Sequence, residues 1–280
     1  MSTALIARKD FDDAVRSRMI LAITAIFVFF STLITAAPAL FGDGAADVET
    51  AQALSLTMVP AQIIVPIVAL IVGYMAIVGE RQSGSVKILL GFPHSRFDVV
   101  AGKLIGRTGV ITLGIVVGFT VATVVGTILY GGFPAADFAK VLAVTVLLGA
   151  VFTGYAVGVS AGVTTRGKAM ALVIGMYILF NALWQILTSL LLWAVEGEFA
   201  VQDPPTWYEL LVALSPMNAF ESAATYLDIE VLPLFGGFGG ESAPSDPFFL
   251  QDWFGFVILL AWMVIPLALG YWRFERADLG

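Results

Sequence analysis

The sequence predicts an all-α integral membrane protein with six transmembrane helices, and three observations lead to that fold class. The chain of 280 residues is 59% hydrophobic and only 12% charged, with a mean hydropathy of +0.94. Soluble domains are about half apolar and about a quarter charged. Six uncharged stretches are each long enough to cross a hydrocarbon core of about 30 Å. The basic residues are collected on one side of those stretches, which indicates an orientation.

The six predicted spans contain no Asp, Glu, Lys, Arg or His. An α-helix rises about 1.5 Å per residue, so about 20 residues suffice for one crossing. The spans cover approximately residues 19–41, 57–78, 108–131, 141–163, 169–195 and 254–272. The whole chain, residues 1–280, is therefore expected to form a single membrane domain.

The distribution of charge predicts which way the helices run. Thirteen of the 14 basic residues fall in the N-terminal arm, in the connections after spans 2 and 4, or in the C-terminal tail. Only Lys140 lies on the other side, where residues 196–253 carry ten acidic residues and no Lys or Arg. Cytoplasmic loops of membrane proteins are enriched in Lys and Arg. Both termini are therefore predicted to be cytoplasmic, in a multi-pass protein of the cell membrane.

The arm before span 1 repeats apolar side chains at helical spacing. Ala7, Phe11, Ala14 and Val15 would share one face, with charged residues between them. We predict a short amphipathic helix lying on the inner membrane surface. A soluble, weakly ordered arm is the alternative. The long charged region of mixed sign is unlike that of a cleavable signal peptide.

The long connection before span 6 is predicted to contain two short outer helices. Residues 207–214 and 218–227 are apolar enough to form them, and Ser215 and Pro216 separate them. A glycine-rich loop at residues 236–240 follows.

Glycines recur four residues apart in two of the predicted spans. Small residues at that spacing let helix backbones approach closely in lipid. The stripes consist of Gly114 and Gly118 in span 3, and of Gly154, Gly158 and Gly162 in span 4. We interpret them as helix-packing sites. The helix that packs on them belongs either to the same chain or to a second protomer.

Few residues are available for catalysis, metal binding or nucleotide binding. Cysteine is absent and His94 is the sole histidine, which excludes disulfides, thiolate ligands and histidine clusters. The net charge of −7 argues against nucleic-acid binding. Residues 162–168 resemble the start of a phosphate-binding loop, but Ala169 stands where that motif needs Ser or Thr for Mg²⁺. We predict no catalytic, metal or cofactor site in the chain.

The connection between spans 2 and 3 begins with a predicted short helix. Val86, Leu89 and Leu90 form one apolar face, and the helix is expected to end by Pro93. A plain connecting loop would not need this pattern.

A second predicted helix follows and continues into span 3. Ser95 and Asp98 form a Ser-x-x-Asp capping pair at its start. Arg96, Lys103 and Arg107 share one side of it and are expected to reach lipid headgroups or a partner. The connection is therefore predicted to be a structured bend of two helices.

In this connection the chain resembles the permease subunits of ABC-2 type transporters. Their first cytoplasmic loop carries a pattern close to Glu-Arg-x-x-Gly-Thr, then Leu-Leu, Pro, Ser-Arg and Gly-Lys. Ser85 stands where the family usually has Thr, and it keeps the hydroxyl. The six spans, the N-terminal arm and the helical segment before span 6 also resemble that family. The positions that match the loop pattern are Glu80, Arg81, Gly84, Leu89, Leu90, Pro93, Ser95, Arg96, Gly102 and Lys103.

The resemblance implies a non-catalytic subunit of an ATP-driven transporter, built as a single ABC-2 type transmembrane domain. It implies a coupling helix at residues 80–90, seated in a groove of a separate cytoplasmic ATPase that binds ATP and Mg²⁺. It also implies a second permease copy, either identical or a paralogue, and transport by export. Within the family, the loop is most similar to permeases of the nitrous-oxide-reductase maturation system and related copper-linked subunits. The implied ATPase-coupling residues are Glu80, Arg81, Gly84, Ser85, Leu89, Pro93 and Arg96.

Two other classes of function stay open at this point. A membrane-embedded protease or lipid hydrolase would need converging acid, base, nucleophile or metal ligands, whereas the predicted spans offer scattered hydroxyl groups. A proton-coupled secondary transporter generally uses ionisable residues inside the membrane, and the predicted spans contain none. Sodium coupling through neutral oxygens is not excluded by the sequence.

Overall fold

The computed structural model describes residues 2–41, 49–84, 95–199, 204–232, 234 and 246–277. Within these residues the chain is helical and contains no strand. Six helices in this part of the chain are long and apolar enough to cross a membrane. The predicted all-helical fold with six spans is therefore confirmed, whereas the cytoplasmic location of both termini stays a prediction.

The helices are numbered in chain order, and six groups of them form the spans. Span 1 is α2, span 2 is α3 to α5, span 3 is α6, span 4 is α7, span 5 is α8 and α9, and span 6 is α12. Their bounds are α1 Ser2–Val15, α2 Arg18–Phe41, α3 Thr50–Ser55, α4 Met58–Gly73, α5 Val78–Ser83, α6 Arg96–Tyr130, α7 Ala135–Gly162, α8 Arg166–Ile178, α9 Trp184–Glu196, α10 Thr206–Ala213, α11 Pro216–Thr225 and α12 Phe254–Glu275.

Span 4 is the central helix of the bundle. It packs against α4, α6 and α12, and its residues Leu148, Phe152 and Ala156, spaced four apart, are fully buried. In contrast, spans 1, 5 and 6 keep most of their apolar surface exposed. That surface suits contact with lipid, which is as apolar as the side chains themselves.

Span 2 is interrupted twice. At the first interruption Pro60 has no amide hydrogen for the carbonyl of Leu56, and the amide of Val59 donates to that carbonyl at 3.1 Å. The second interruption, at residues 74–77, frees the amides of Ile77 and Val78. Both donate to Oγ of Ser160 at 3.0 Å. Buried amides need such partners, so one hydroxyl of span 4 holds the end of span 2 in place.

Span 5 contains a π-helical segment, Leu179–Leu183, between α8 and α9. Within it the side-chain amide of Asn181 donates to the carbonyl of Tyr177 at 3.0 Å. Such segments locally widen a helix and often occur at functional sites. The sequence carried no signal for it.

Two short helices, α10 and α11, precede span 6 as the sequence predicts. Oγ of Ser215 accepts a hydrogen bond from the amide of Met217 at 3.2 Å, and Pro216 occupies the first turn of α11. Proline is tolerated there because the first amides of a helix have no intrahelical partner. The glycine-rich loop predicted at residues 236–240 lies outside the described residues.

The glycine stripe of span 4 faces span 6 of the same chain. A Cβ atom added at Gly158 would lie 2.5 Å from the backbone of Pro266. One added at Gly270 would overlap the carbonyl oxygen of Gly158, and Gly154 and Gly162 also face α12. The two backbones therefore touch directly, with no side chain between them.

The glycine stripe of span 3 faces span 1. A Cβ atom at Gly118 would lie 2.5 Å from the ring of Phe27, and one at Gly114 would lie 3.3 Å from Oγ1 of Thr24. In the structure both stripes are thus occupied by helices of the same chain.

Because spans 4 and 6 are in direct backbone contact, we predict that one added methyl group there lowers the stability of the protein markedly. Gly270→Ala would force α7 and α12 apart, and overpacking of this kind typically costs about 1–3 kcal/mol. Gly175→Ala in span 5 is the matched control, because a Cβ atom there meets no described atom within 4 Å. Thermal unfolding in detergent should show a lower midpoint for Gly270→Ala and an equal or higher one for Gly175→Ala, since alanine favours helix. Equal midpoints for the two variants would contradict the close contact.

Candidate coupling site

The ends of spans 2, 3, 4 and 6 lie together on the side of the protein that carries most basic residues, here called the basic face, and α1 packs on the start of span 3. We call residues 78–84 and 95–107, on the two sides of the connection between spans 2 and 3, the elbow. The first part contains α5 and the second is the start of α6. Three sets of contacts join the elbow to the rest of the chain.

The first set is a network of four charged residues, which we call the clamp. Oε1 of Glu80 lies 2.7 Å from Nζ of Lys103, whose side chain is only 4% exposed. The same Nζ lies 3.1 Å from Oδ1 of Asp10 in α1. Nε of Arg107 lies 2.6 Å from Oδ2 of Asp10. Two carboxylates and two cations thus join span 2, span 3 and α1 with no net charge.

The burial of the clamp makes each member depend on the others. Taking an ionised group out of water is costly unless an opposite charge and hydrogen bonds accompany it. The expectation that Lys103 and Arg107 reach lipid headgroups or a partner is therefore wrong, because both bind Asp10 inside the chain. Their shared side of α6 faces α1.

The helix α1 is present and lies along α6. Ile6, Ala7 and Ala14 are buried. Gly102 and Gly106 permit the close approach, since a Cβ atom at Gly106 would lie 2.7 Å from the carbonyl oxygen of Ala7. The apolar face predicted from the sequence is thus covered by α6. Contact of α1 with the membrane surface stays a prediction.

The second set of contacts caps the ends of two other spans. Nη1 of Arg81 donates to the carbonyl oxygen of Val163, just after span 4, at 3.1 Å. Nη1 of Arg96 donates to the carbonyl oxygen of Glu275, at the end of span 6, at 2.7 Å, and also to that of Phe274. The last carbonyls of a helix have no intrahelical partner, and the helix dipole favours a cation there.

The third set of contacts centres on one aromatic ring. The guanidinium carbons of Arg81 and Arg96 lie 5.8 and 5.6 Å from the ring centroid of Phe274. Phe274 is fully buried at the end of span 6. Attraction between each cation and the ring adds to the caps, so this ring joins the ends of spans 2, 3 and 6.

Gly84 ends α5 in a left-handed backbone conformation with a φ of 76°. Glycine adopts this conformation without the steric cost that other residues incur. The chain then enters the connection to α6. Ser85, Leu89 and Pro93, predicted to contact the ATPase, lie outside the described residues.

The predicted capping pair at the start of α6 is confirmed. Oγ of Ser95 accepts from the amide of Asp98 at 3.1 Å, and Oδ2 of Asp98 accepts from the amide of Ser95 at 3.0 Å. The hydroxyl of Thr3 in α1 also donates to Asp98. The cap therefore fixes the start of α6 and binds α1 at the same time.

Three residues of this site were not singled out in the sequence: Asp10, Ser160 and Phe274. Asp10 had a signal, because it follows Ala7 by three residues and precedes Ala14 by four, which places a carboxylate on an apolar helix face. Such a group needs a buried cation. Ser160 and Phe274 had no such signal in the sequence, since a serine between glycines and an aromatic residue at a helix end are common in membrane spans.

Another missed residue is Glu221 in α11, between spans 5 and 6. Its side chain is buried, and its Oε1 has no hydrogen-bond partner in the part of the chain that the structure describes. Burial raises the pKa of this carboxyl from 4.5 to about 7. The prediction of an apolar helix there was right in outline but overlooked a buried titratable group.

Comparison with known proteins agrees with this architecture. Residues 4–279 match the family described as ABC-2 family transporter protein. The chain belongs to this family. It is 28% identical over 284 residues to the probable ABC transporter permease protein NosY of Stutzerimonas stutzeri, covering 97% of each chain. It is 29% identical over 237 residues to the protein of the same name from Pseudomonas aeruginosa, covering 78% of this chain and 82% of the relative.

Family membership confirms the resemblance predicted from the loop. The protein is the permease subunit of an ABC transporter and a multi-pass membrane protein. Permease subunits of this family work with an ATPase subunit and are generally non-catalytic. Transport therefore takes precedence over the membrane-enzyme and ion-coupled classes considered above.

The clamp predicts that the carboxylate of Asp10 holds α1 against the bundle, whereas the carboxylate of Asp12 does not. Asp10→Asn leaves Lys103 and Arg107 short of a negative charge, and breaking a buried pair typically costs about 3–5 kcal/mol. Asp12→Asn is the matched control, since Asp12 forms an exposed pair with Arg8 at 3.9 Å, worth little. Hydrogen exchange of residues 2–15 should rise strongly in Asp10→Asn and stay unchanged in Asp12→Asn. Equal exchange in both variants would show that the clamp does not hold α1.

The raised pKa of Glu221 predicts that the stability of the protein depends on pH. The folded state holds this proton more tightly than the unfolded state, so the contribution of Glu221 to stability is fully present below pH 4.5 and is lost as the pH rises through 7. A shift from 4.5 to about 7 corresponds to about 3 kcal/mol. Glu221→Gln should flatten the thermal midpoint measured in detergent between pH 5 and 8. A wild-type slope that persists in Glu221→Gln would assign the effect to another group.

Proposed function

We propose that this permease is one half of the membrane domain of an exporter, and that a separate cytoplasmic ATPase drives it through the elbow. The observation that carries the proposal is the clamp with its two arginine caps. These contacts connect the elbow to α1 and to spans 2, 3, 4 and 6. A force applied to the connection between spans 2 and 3 would therefore reach five elements together.

The proposed coupling residues divide into two groups. Glu80, Arg81 and Arg96 bind partners inside the chain, so their proposed role is to transmit movement. The surface proposed to contact the ATPase then consists of the exposed Gln82 and the connection that follows Gly84. Residues 80–83, at the end of α5, would anchor the coupling segment to the permease. Because Gly84 ends α5, the predicted helix of residues 80–90 is interrupted there, and the part that would sit in the ATPase groove follows Gly84.

The basic face is proposed to be cytoplasmic, which would place the elbow on the side where ATP is hydrolysed. The charge asymmetry along the chain supports this orientation. Because α1 binds the elbow directly, a cytoplasmic elbow would also place the N-terminus in the cytoplasm.

A second permease copy, identical or a paralogue, is proposed to complete the translocation pathway. Six spans form half a transporter in the family that the chain resembles. Spans 1, 5 and 6 keep most of their apolar surface free of contacts within the chain, which leaves room for another protomer as well as for lipid. The direction of transport is proposed to be outward, as the resemblance implies.

The setting proposed for this permease is a maturation system of the nitrous-oxide-reductase kind. The loop resemblance and the two relatives that carry the name NosY support it. Neighbouring reading frames for an ABC ATPase and for copper-binding or nitrous-oxide-reductase proteins would agree with this setting. Neighbours from an unrelated transport system would contradict it.

Cross-linking tests the coupling surface cleanly because the chain has no cysteine. Gln82→Cys places a thiol on the exposed side of α5 and leaves the clamp intact. In membranes that contain the assembled transporter, a short thiol-directed photo-cross-linker at this position should form an adduct with the ATPase. Gln52→Cys is the control, since Gln52 is also exposed but lies on α3, at the opposite end of span 2.

Mass spectrometry of the adduct identifies the partner and the groove. An adduct at Gln82→Cys alone supports the elbow as the coupling site. Adduct formation at both positions would indicate non-specific labelling. Absence of an adduct at Gln82→Cys, in complexes that still copurify, would move the ATPase contact elsewhere on the permease.

A further inference from the structure

A groove on the basic face lies between spans 4, 5 and 6, and it adjoins the elbow at Val163, whose carbonyl oxygen accepts a hydrogen bond from Arg81. It has a volume of about 270 Å³. Its walls are apolar side chains from three helices, including Val159 of α7, Leu172 of α8 and Leu269 of α12. An apolar groove between spans, open at the protein surface, is the shape that takes a lipid acyl chain.

The floor of the groove is recessed because glycines form it. Gly158, Gly162 and Gly270 line the groove at the point where α7 and α12 touch backbone to backbone. No side chain rises from the crossing to fill the space. The close packing of spans 4 and 6 thus creates the depression as a by-product.

The groove changes character toward the end of span 6. Trp272 and Arg273 line it there, and tryptophan in membrane proteins is enriched at the level of the lipid headgroups. Arg273 is exposed and has no ion pair or hydrogen bond with any described residue. The guanidinium of Arg276 lies 4.3 Å from the ring centroid of Trp272. Arg273 therefore lines the headgroup end of the groove, and Arg276 lies beside that end, against Trp272.

The carboxylate of Glu275 in span 6 points away from Arg273. A helix turns about 100° per residue, so Arg273 and Glu275 project on nearly opposite sides of α12. Glu275 accepts a hydrogen bond from Oη of Tyr271 at 3.2 Å, on that other side. The start of α8, across the groove, contributes Arg166 and Lys168 and no acidic residue.

We propose that this groove binds a glycerophospholipid with a net negative headgroup. The acyl chain lies along Val159, Leu172 and Leu269, and the phosphate binds Arg273 and Arg276. Basic sites between spans on the cytoplasmic side favour anionic headgroups. A zwitterionic lipid brings its own cation, and among the described residues no carboxylate lies on the side of α12 that carries Arg273. The site adds a lipid requirement to the permease.

The test is native mass spectrometry of the full-length permease with phosphatidylglycerol or phosphatidylcholine of identical acyl chains. Wild type should retain phosphatidylglycerol in preference to phosphatidylcholine. Arg273→Gln with Arg276→Gln should weaken phosphatidylglycerol binding by about tenfold or more. Phosphatidylcholine also carries a phosphate, and its binding should be weakened less, so the preference for phosphatidylglycerol should disappear. Leu172→Trp, which fills the groove from a half-exposed position, should weaken both.

Arg18→Gln is the matched control, because Arg18 is also an exposed arginine at the end of a span, outside the groove. It should leave phosphatidylglycerol binding unchanged. Equal binding of the two lipids to wild type would overturn the proposal. So would an equal loss in Arg18→Gln, which would indicate general attraction to the basic face. Gel filtration and thermal midpoints confirm that each variant is folded.

Discussion

The basic face depends on one buried ammonium group, that of Lys103. It is shared by Glu80 from the end of span 2 and Asp10 from α1. Without it Glu80 would lose its ion-pair partner and Asp10 would keep only Arg107. This shared cation makes an N-terminal helix, which by sequence could have been a loose arm, an inseparable part of the bundle. The arginine caps then extend the same unit to spans 4 and 6.

The spans and the start of α6 could be predicted because their signals are local. An uncharged run of sufficient length and a capping pair each specify structure within a few residues. The clamp could not be predicted in this way. Spacing along α6 shows that Lys103 and Arg107 share a side, but only packing shows that α1 covers that side. The sequence did place the carboxylate of Asp10 on an apolar face of α1, but it did not show which cation binds that carboxylate.

The loop pattern shared with the family has a structural meaning that its position alone did not reveal. Glu80, Arg81 and Arg96 match the pattern and are all engaged within the chain. A sequence pattern next to a partner surface can thus preserve the geometry of that surface without touching the partner. This interpretation explains why charged residues of both signs occur where the first turn of a coupling helix is expected.

The contact between Gly158 and Gly270 also restricts how the bundle can move. Sliding one helix along the other by a single residue, about 1.5 Å, would bring the Cβ atom of a neighbouring residue into a backbone. A piston-like shift between spans 4 and 6 is therefore blocked. Because Gly154, Gly158 and Gly162 all face span 6, the close contact extends over about two turns of span 4, and the two spans are expected to move together as one rigid pair.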